Sequence, residues 1–224
     1  TTRVHWAYPS GPAEPWNPSR NVAEMLTQIP GYRTRGLNAM TISLQGGSQR
    51  PFYSGNAAAD PNWPIISAFT SDGSLKTAYL TRFNQIIEAC DMNSLVVILT
   101  LFYFGQDHRL SNQSAIESGV DNVVDWVTGN LAGSPNVGNP YTNVVLEIAN
   151  EANIHYDHAI LQASNVATLV TRARNRALGY GVILPTSVSM GGNVLPTGSI
   201  VAASSYILLH GNSTTVNQAQ AMVD

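Results

Sequence analysis

The chain has 224 residues, of which 44% are hydrophobic and only 11% are charged. This length supports one globular domain with a large core, which we expect to span residues 1–224, and it is too short for two domains of typical size. The net charge of −3 and the pI near 5.9 provide no basic surface. We therefore exclude nucleic acids and anionic membranes as partners.

Cysteine usage and surface composition indicate the setting of the protein. The single cysteine, Cys90, excludes an internal disulfide and a thiolate metal cluster. The longest apolar run, residues 95–104, is about half the length that spans a bilayer. Thr1 reads as a mature or trimmed N-terminus, and a surface poor in charge is common in extracellular proteins, so we expect secretion. Asn112 and Asn212 each begin an N-glycosylation triplet, a pattern that does not settle whether either carries sugar.

The first quarter of the chain predicts two strands and one helix. Residues 4–8 form a short strand, and the prolines that follow exclude a helix until about residues 18–19. A helix over residues 21–28 ends before Pro30, and the second strand covers residues 36–44.

A long polar connection with aromatic residues then runs from residue 48 to residue 74. It contains Phe52, Tyr53 and Trp63. A loop of this length is usually functional or disordered. Two roles stay open for its aromatic rings, which either stack on the apolar faces of a sugar or cover the helix below.

The middle of the chain alternates clear helical and strand patterns. The predicted helices cover residues 75–92 and 116–131, and the predicted strands cover residues 95–103 and 144–149. The helix over residues 75–92 has an apolar face formed by Leu80, Phe83, Ile87 and Cys90. The second helix turns four valines inward, at positions 120, 123, 124 and 127.

The last part predicts a helix over residues 159–178, strands over residues 182–189 and 204–209, and a helix from residue 215. Strand, loop and helix therefore alternate six times, which specifies a parallel α/β architecture. Alternation alone leaves a closed barrel and an open doubly wound sheet as alternatives. No glycine-rich phosphate fingerprint follows the first strand, which disfavours a nucleotide-binding open sheet.

The strand over residues 144–149 is the most informative element. Its continuous apolar and β-branched run is typical of a strand buried on both faces of a parallel sheet. It ends in Asn150 and Glu151, and alternation with period two places Glu147 on the same side as Glu151. Strand ends carry the catalytic groups of a (β/α)8 barrel. A carboxyl group there, beside an amide, suits a general acid.

The segment Glu147-Ile-Ala-Asn-Glu151 resembles the fourth-strand signature of the clan A glycoside hydrolases, family 5 and its relatives. Residues 37–48, 97–107 and 206–212 are similar to the second, third and sixth strands of the same group, so the resemblance covers nearly the whole chain. It implies an α/β fold of the (β/α)8 TIM barrel type, with about the first six β/α units in this chain. A complete barrel has roughly 250 residues, slightly more than are present here.

The resemblance also implies roles for individual residues. Glu151 is the acid/base, with capping of the following helix as its alternative role. Asn150 binds the sugar 2-hydroxyl, or its amide stabilises a loop. His210 lines the subsite near the nucleophile, or it is a packed histidine. Glu147 is expected to be a paired structural carboxylate. Weaker candidates for sugar contacts lie at the ends of the first three strands: His5, Trp6, Gln45, Asp107 and His108.

The nucleophile of a retaining mechanism has no candidate at the expected place. The resemblance puts it on a Glu at the end of the seventh strand, and the six glutamates of this sequence all precede His210. Three explanations stay open. The sequence is part of a longer protein, or self-association or a second chain completes the open barrel, or the barrel is degenerate and binds rather than cleaves. We disfavour Asp107 as a nucleophile within the chain.

The expected function is retaining hydrolysis of a β-linked polysaccharide or oligosaccharide, with that carbohydrate as the partner. The alternative is a non-catalytic carbohydrate-binding or assembly protein on a degenerate hydrolase barrel. His155 and His158, with an Asp between them, invite a metal site, but no third ligand is suitably spaced. We therefore expect neither a metal nor a cofactor.

Overall fold

Parallel strands that follow one another in chain order form the centre of the structure. The structure is a computed structural model that describes residues 18–46, 66–192, 194–196, 198–211 and 214–222. Its main sheet has four strands in the order β1-β4-β5-β6, and every neighbouring pair is parallel. These strands are β1 (Ala39–Ser43), β4 (Val96–Tyr103), β5 (Val144–Asn150) and β6 (Thr186–Ser187).

Short strands extend this arrangement. Strand β7 (Ser189–Met190) follows β6 after one residue and pairs in parallel with β8 (Leu208–Leu209). Strands β2 (Gln45–Gly46) and β3 (Ile66–Ser67) form an antiparallel pair that the sequence did not predict. Among the described residues the order of the parallel strands does not reverse, whereas an open doubly wound sheet has a reversal point. The described residues therefore form part of a (β/α)8 barrel, and the predicted fold class is confirmed.

Helices alternate with the parallel strands. They are α1 (Pro18–Thr34), α2 (Thr77–Met92), α3 (Gln113–Val127), α4 (Ala167–Gly179), α5 (Ser199–Ala203) and α6 (Val216–Ala221). The predicted inner faces of α2 and α3 are confirmed, because all eight residues assigned to them are buried. Helix α3 begins three residues earlier than predicted, since the Asn112 side chain accepts a hydrogen bond from the Ala115 N–H and caps it.

The predicted end of the first helix is wrong. Helix α1 continues through Pro30 to Thr34. Its stop signal is Gly36, whose φ of 87° lets the Leu37 N–H reach back to the carbonyl of Tyr32 at 3.2 Å. Pro30 costs one helical hydrogen bond, and the complete burial of the neighbouring Ile29 offsets that loss.

The helix predicted over residues 159–178 is shorter in the structure. Ala159–Leu161 form a single 3-10 turn, and α4 begins only at Ala167. Gln162 has extended backbone, and the Ala163 N–H bonds to the carbonyl of Ala152 at 3.0 Å. This tertiary hydrogen bond replaces the helical one.

The strand predicted over residues 182–189 is confined to β6 and β7. Pro185 has no N–H to donate to a ladder, although its carbonyl accepts a hydrogen bond from the Leu146 N–H at 2.8 Å. The last strand is likewise limited to β8, and α5, which was not predicted, fills the connection between β7 and β8.

Paired arginines and aspartates join α3 to α4. Arg172 binds both oxygens of Asp121 at 2.8 and 2.7 Å, and Arg176 binds both oxygens of Asp125 at 2.6 Å. Each arginine therefore has a bidentate partner on the neighbouring helix, which fixes the separation of the two helices.

Several predictions concern residues that the structure does not describe. The strand over residues 4–8 and the aromatic residues Phe52, Tyr53 and Trp63 lie outside the described ranges. Within those ranges, no helix combines the length and the apolarity that a membrane span requires.

Two isoleucines provide a matched test of the core. The Ile148 side chain in β5 is fully buried, whereas Ile183 is 85% exposed. We expect Ile148→Ala to lower the free energy of unfolding by about 2–5 kcal/mol, because it leaves a cavity in the central sheet. Ile183→Ala should change it by less than about 0.5 kcal/mol. Urea unfolding of both variants checks this, and equal losses would contradict the burial of β5.

Candidate active site

The carboxyl ends of β5 and β8 and the start of β7 bring four polar residues together. Asn150 ends β5, Glu151 follows it, Ser189 opens β7, and His210 follows β8. Because parallel strands present their carboxyl ends at one edge of a sheet, residues far apart in the sequence meet there.

Glu151 has an uncommon backbone conformation. Its φ is 57°, in the left-handed region that residues other than glycine rarely adopt. Its N–H donates a hydrogen bond to the Ser189 hydroxyl at 2.8 Å. The residue is only 5% exposed. Such conformations cost on the order of 1–3 kcal/mol and cluster at functional sites.

His210 lies between the two carboxyl groups of the β5 region. Its Nδ1 is 3.1 Å from Glu151 Oε1, and its Nε2 is 3.8 Å from Glu147 Oε1. The imidazole side chain is 10% exposed. As alternation predicted, Glu147 and Glu151 share one side of the strand, because both face this ring.

Glu147 is fully buried inside the sheet. Its carboxyl group accepts hydrogen bonds from the hydroxyls of Thr100 in β4 and Ser189 in β7. Glu147 therefore has the structural pairing expected of it. Ser189 has two functions, since it accepts a hydrogen bond from the Glu151 N–H and donates one to Glu147.

A backbone wall lies against the Glu151 carboxyl group. A Cβ atom on Gly191 would stand 3.2 Å from Cδ and Oε2 of Glu151. Asn153 holds this wall in place, because its Oδ1 accepts from the Gly191 N–H at 2.6 Å and its Nδ2 donates to the Gly191 carbonyl at 3.3 Å. The loops after β5 and β7 are therefore joined beside Glu151.

Asn150 is buried next to Glu151. Its carbonyl accepts a hydrogen bond from the Tyr156 hydroxyl at 2.7 Å. Burial, with the charge of Glu147 as the second cause, raises the pKa of Tyr156 well above its usual value, so its hydroxyl remains a donor. The role of the Asn150 amide toward a sugar stays a prediction.

Asp107 lies at the end of β4, in the 3-10 turn Asp107–Arg109. It is completely buried, and one carboxyl oxygen accepts from the His158 N–H at 2.8 Å, while no hydrogen-bond partner is described for the other. Desolvation raises the pKa of Asp107, against the smaller opposing effect of the His158 N–H. Its role as a sugar contact stays a prediction.

The other weak candidates differ in their surroundings. The buried Gln45 uses its amide on backbone, since Oε1 accepts from the Tyr103 N–H at 3.2 Å and Nε2 donates to the Gln106 carbonyl at 3.3 Å. His108 is partly exposed, with Nδ1 3.8 Å from an Asp157 oxygen. Both stay predictions as sugar contacts, and His5 and Trp6 lie outside the described residues.

His155 and His158, which the sequence offered as metal ligands, contact different groups. His158 Nε2 is 2.9 Å from the Leu110 carbonyl, while His155 is largely exposed, with Nε2 3.7 Å from Asp157 Oδ1. Across the described ranges, no group of three or more His, Cys, Asp or Glu residues is arranged to hold a metal ion.

Sequence reasoning missed Ser189, Asn153 and Gly191. One signal was available for Ser189, because a hydroxyl at the end of a predicted buried strand needs a polar partner. Nothing in the sequence pairs Asn153 with Gly191, since their contact joins two loops that are 38 positions apart.

The arrangement suits proton transfer. A carboxyl group that is almost excluded from water, oriented by an imidazole and fixed by its own backbone, can donate a proton to a bound oxygen atom and recover it from a water molecule. Residues from three strands fix the position of the Glu151 carboxyl group, and contacts from such regular elements hold a catalytic group in one geometry.

Comparisons with known proteins support the fold. No family model matches the chain, and no curated protein matches it. Among solved structures, the β-mannanase of the blue mussel Mytilus edulis is 11% identical, with 95% of this chain and 65% of that chain covered and a TM-score of 0.52. A glycoside hydrolase family 5 enzyme of Prevotella bryantii B14 is 11% identical, with 86% and 51% covered and a TM-score of 0.49.

A β-1,4-mannanase of the sea hare Aplysia kurodai is 12% identical, with 78% of this chain and 54% of that chain covered and a TM-score of 0.47. The chain therefore spans between 51% and 65% of the length of these three proteins. At 11% identity, the likeness to the mussel protein, with its TM-score of 0.52, shows a shared fold alone. The (β/α)8 fold that the resemblance implied is confirmed.

The buried carboxyl group of Asp107 predicts a pH dependence of stability. Because its folded-state pKa is raised, its ionisation opposes folding, and this cost grows as the pH rises from about 3.8 through the folded pKa. Asp107→Asn keeps an oxygen for the His158 N–H and cannot ionise. We expect the Tm of the variant, relative to the wild type, to increase with pH over that window.

Asp72 provides a control, because its pKa is shifted in the opposite direction to that of Asp107. Hydrogen bonds from Thr70 and Ser74 lower its pKa, so its carboxylate favours folding above the unfolded pKa, and that contribution disappears as the pH falls through the folded pKa. Asp72→Asn should therefore lose Tm relative to the wild type as the pH rises. Calorimetry from pH 3 to pH 8 checks both trends, and a flat difference for Asp107→Asn would show that its burial does not perturb its ionisation.

Proposed function

We propose that the chain is the acid/base-bearing part of a glycoside hydrolase that cleaves a β-linked polysaccharide or oligosaccharide with retention of configuration. The observation that carries this proposal is the Glu151 carboxyl group, which follows the central strand of a hydrolase-type barrel, nearly buried and within hydrogen-bond distance of His210. In this role Glu151 donates a proton to the glycosidic oxygen and then removes a proton from the attacking water.

The surroundings of Glu151 support an acid and a base in one group. The residue is shielded from water, so it meets few competing proton donors and acceptors. The Gly191 backbone and the His210 ring confine its carboxyl group from two sides. A confined carboxyl group can exchange a proton at a fixed point without reorganisation at the moment of reaction.

The second carboxylate of the mechanism should stand roughly 5–5.5 Å from the first. Glu147 does not suit this task, because it is fully buried and its oxygens accept hydrogen bonds from Thr100 and Ser189. We propose that the nucleophile is a glutamate located after residue 224, at the end of the next strand of the barrel. Attack by that residue would form the covalent glycosyl-enzyme that water then hydrolyses.

Substrate contacts in this proposal come from the same edge of the barrel. Asn150 and His210, the neighbours of Glu151, are the first candidates to contact the sugar, and Gln45, Asp107, His108, His5 and Trp6 are further candidates. Because the mussel protein is named a β-mannanase, β-mannan comes first among the substrates to test, followed by β-1,4- and β-1,3-glucans and xylan. Such polymers do not cross membranes, so this substrate class accords with a secreted protein.

Replacement of the acid/base tests the proposal directly. In the protein at its natural length, Glu151→Gln should reduce kcat on a polysaccharide by about 10²–10⁴-fold, because the leaving oxygen loses its proton donor. Binding of the same polysaccharide should be retained. Reducing-end assays and isothermal calorimetry measure the two quantities.

Glu88→Gln is the matched control. Glu88 is an exposed glutamate on α2, and its oxygen accepts a hydrogen bond from Asn84 at 2.9 Å, away from the site. Turnover by Glu151→Gln equal to that of the wild type would refute the acid/base assignment. Binding by the wild type without cleavage of any polymer in the panel would favour the alternative of a carbohydrate-binding or assembly protein.

The stereochemical outcome and the position of the nucleophile form a further prediction. Proton NMR of a fresh reaction should show the β-anomer of the product first and the α-anomer only after mutarotation, as double displacement requires. The intact mass and C-terminal peptides of the natural polypeptide should show a glutamate beyond Asp224. An α-anomer as the initial product would contradict the retaining mechanism.

A further inference from the structure

A chain of hydroxyl and carboxyl groups runs below the Glu151 backbone. It starts at Thr100 in β4, which donates to Glu147, and Glu147 also accepts the hydroxyl proton of Ser189 in β7. Ser189 in turn accepts the Glu151 N–H at 2.8 Å. Glu147 and Ser189 are both buried.

We infer that Ser189 and Glu147 are positioning residues that hold Glu151 in its left-handed backbone conformation and so aim its carboxyl group. This inference rests on the proposed function for its catalytic consequence. Its structural content, the dependence of the Glu151 backbone on a buried hydroxyl and a buried carboxylate, stands independently of any activity.

The polarity of the Ser189 hydroxyl explains why the carboxylate is needed. A hydroxyl has one proton to donate and can accept with its lone pairs. Both carboxyl oxygens of Glu147 accept hydroxyl protons, one from Thr100 and one from Ser189, so the lone pairs of Ser189 remain for the Glu151 N–H. Glu147 thereby sets the direction of a hydrogen bond that it does not make itself.

The backbone of Glu151 depends on that bond. Positive φ is unfavourable for a glutamate, and a buried N–H without an acceptor adds a further cost. A relaxed backbone at this position would rotate the Cα–Cβ bond of Glu151 away from His210 and Gly191. Small changes in φ would then become large displacements of the carboxyl oxygens.

Glu147 also orients the imidazole beside Glu151. His210 presents Nε2 to the buried Glu147 carboxyl group at 3.8 Å and Nδ1 to Glu151 at 3.1 Å. Each ring nitrogen of His210 therefore faces a carboxyl oxygen. Glu147 therefore acts on the acid/base from two directions, through the Ser189 hydroxyl and through the His210 ring.

The hydrogen bonds that run from Glu147 through the Ser189 hydroxyl to the Glu151 N–H form a relay. Amide hydrogen exchange tests this relay without reference to activity. In Ser189→Ala the Glu151 amide loses its acceptor, so we expect its exchange to accelerate about tenfold relative to that of the Leu146 amide in β5, which bonds to the Pro185 carbonyl. Ser187→Ala is the matched control, because the buried Ser187 hydroxyl bonds to the Tyr206 carbonyl at 2.7 Å. It should leave that ratio unchanged.

Three further variants complete the design. Ser189→Thr keeps a hydroxyl and should therefore show the wild-type ratio of Glu151 to Leu146 amide exchange. Glu147→Gln should change the ¹⁵N shifts of the His210 ring, which report where its proton lies. If Ser189→Ala does not fold, Ser189→Cys replaces it, since a thiol of similar size is a weak acceptor.

Steady-state kinetics distinguish a positioning role of Ser189 from a simple loss of protein stability. On a substrate that the wild type cleaves, Ser189→Ala should lower kcat at least tenfold with little change in KM, and Ser189→Thr should recover most of that loss. An unchanged exchange ratio in Ser189→Ala would overturn the relay. If the wild type cleaves no substrate, the proposed function fails, and the exchange ratio and the His210 shifts still decide whether the relay exists.

Discussion

The pairing of β5 between β4 and β6 is the constraint on which the rest of the structure depends. Because this strand is covered on both faces and hydrogen-bonded along both edges, its residues cannot shift without the loss of core packing and two ladders. Everything placed at its carboxyl end inherits that rigidity. Asn150 and Glu151 are therefore held at the edge of the barrel by residues that take no part in any chemistry there.

A carboxyl group inside a barrel stabilises the fold less than an apolar side chain would, but it can fix the positions of its polar neighbours. An apolar residue in place of Glu147 would fill the same space without the cost of burying a charge. The structure compensates that cost with two hydroxyl donors and a nearby imidazole. Natural proteins accept such local conflicts mainly at functional sites, and the location of Glu147 beneath Glu151 follows this rule.

The sequence predicted the parts of the molecule that local pattern controls. The inner faces of α2 and α3, the extent of β4 and the end of β5 follow from periodicity and burial, and these agree with the structure. The errors occur where distant contacts decide. Helix α1 passes Pro30 because Gly36 supplies a better terminus, and α4 starts late because Ala163 bonds to Ala152. In the site, the alternation of Glu147 and Glu151 was predictable, whereas the hydroxyl of Ser189 required knowledge of which strands are neighbours.

The wall that Gly191 forms beside Glu151 is made of main chain alone. Main chain has no rotamers, so one side of the carboxyl group faces a surface that cannot change by side-chain rotation. The Asn153 amide, which bonds both the N–H and the carbonyl of Gly191, removes the remaining freedom of that surface. Any adaptation of this site to a differently shaped ligand must therefore come from side chains on the other sides of the Glu151 carboxyl group.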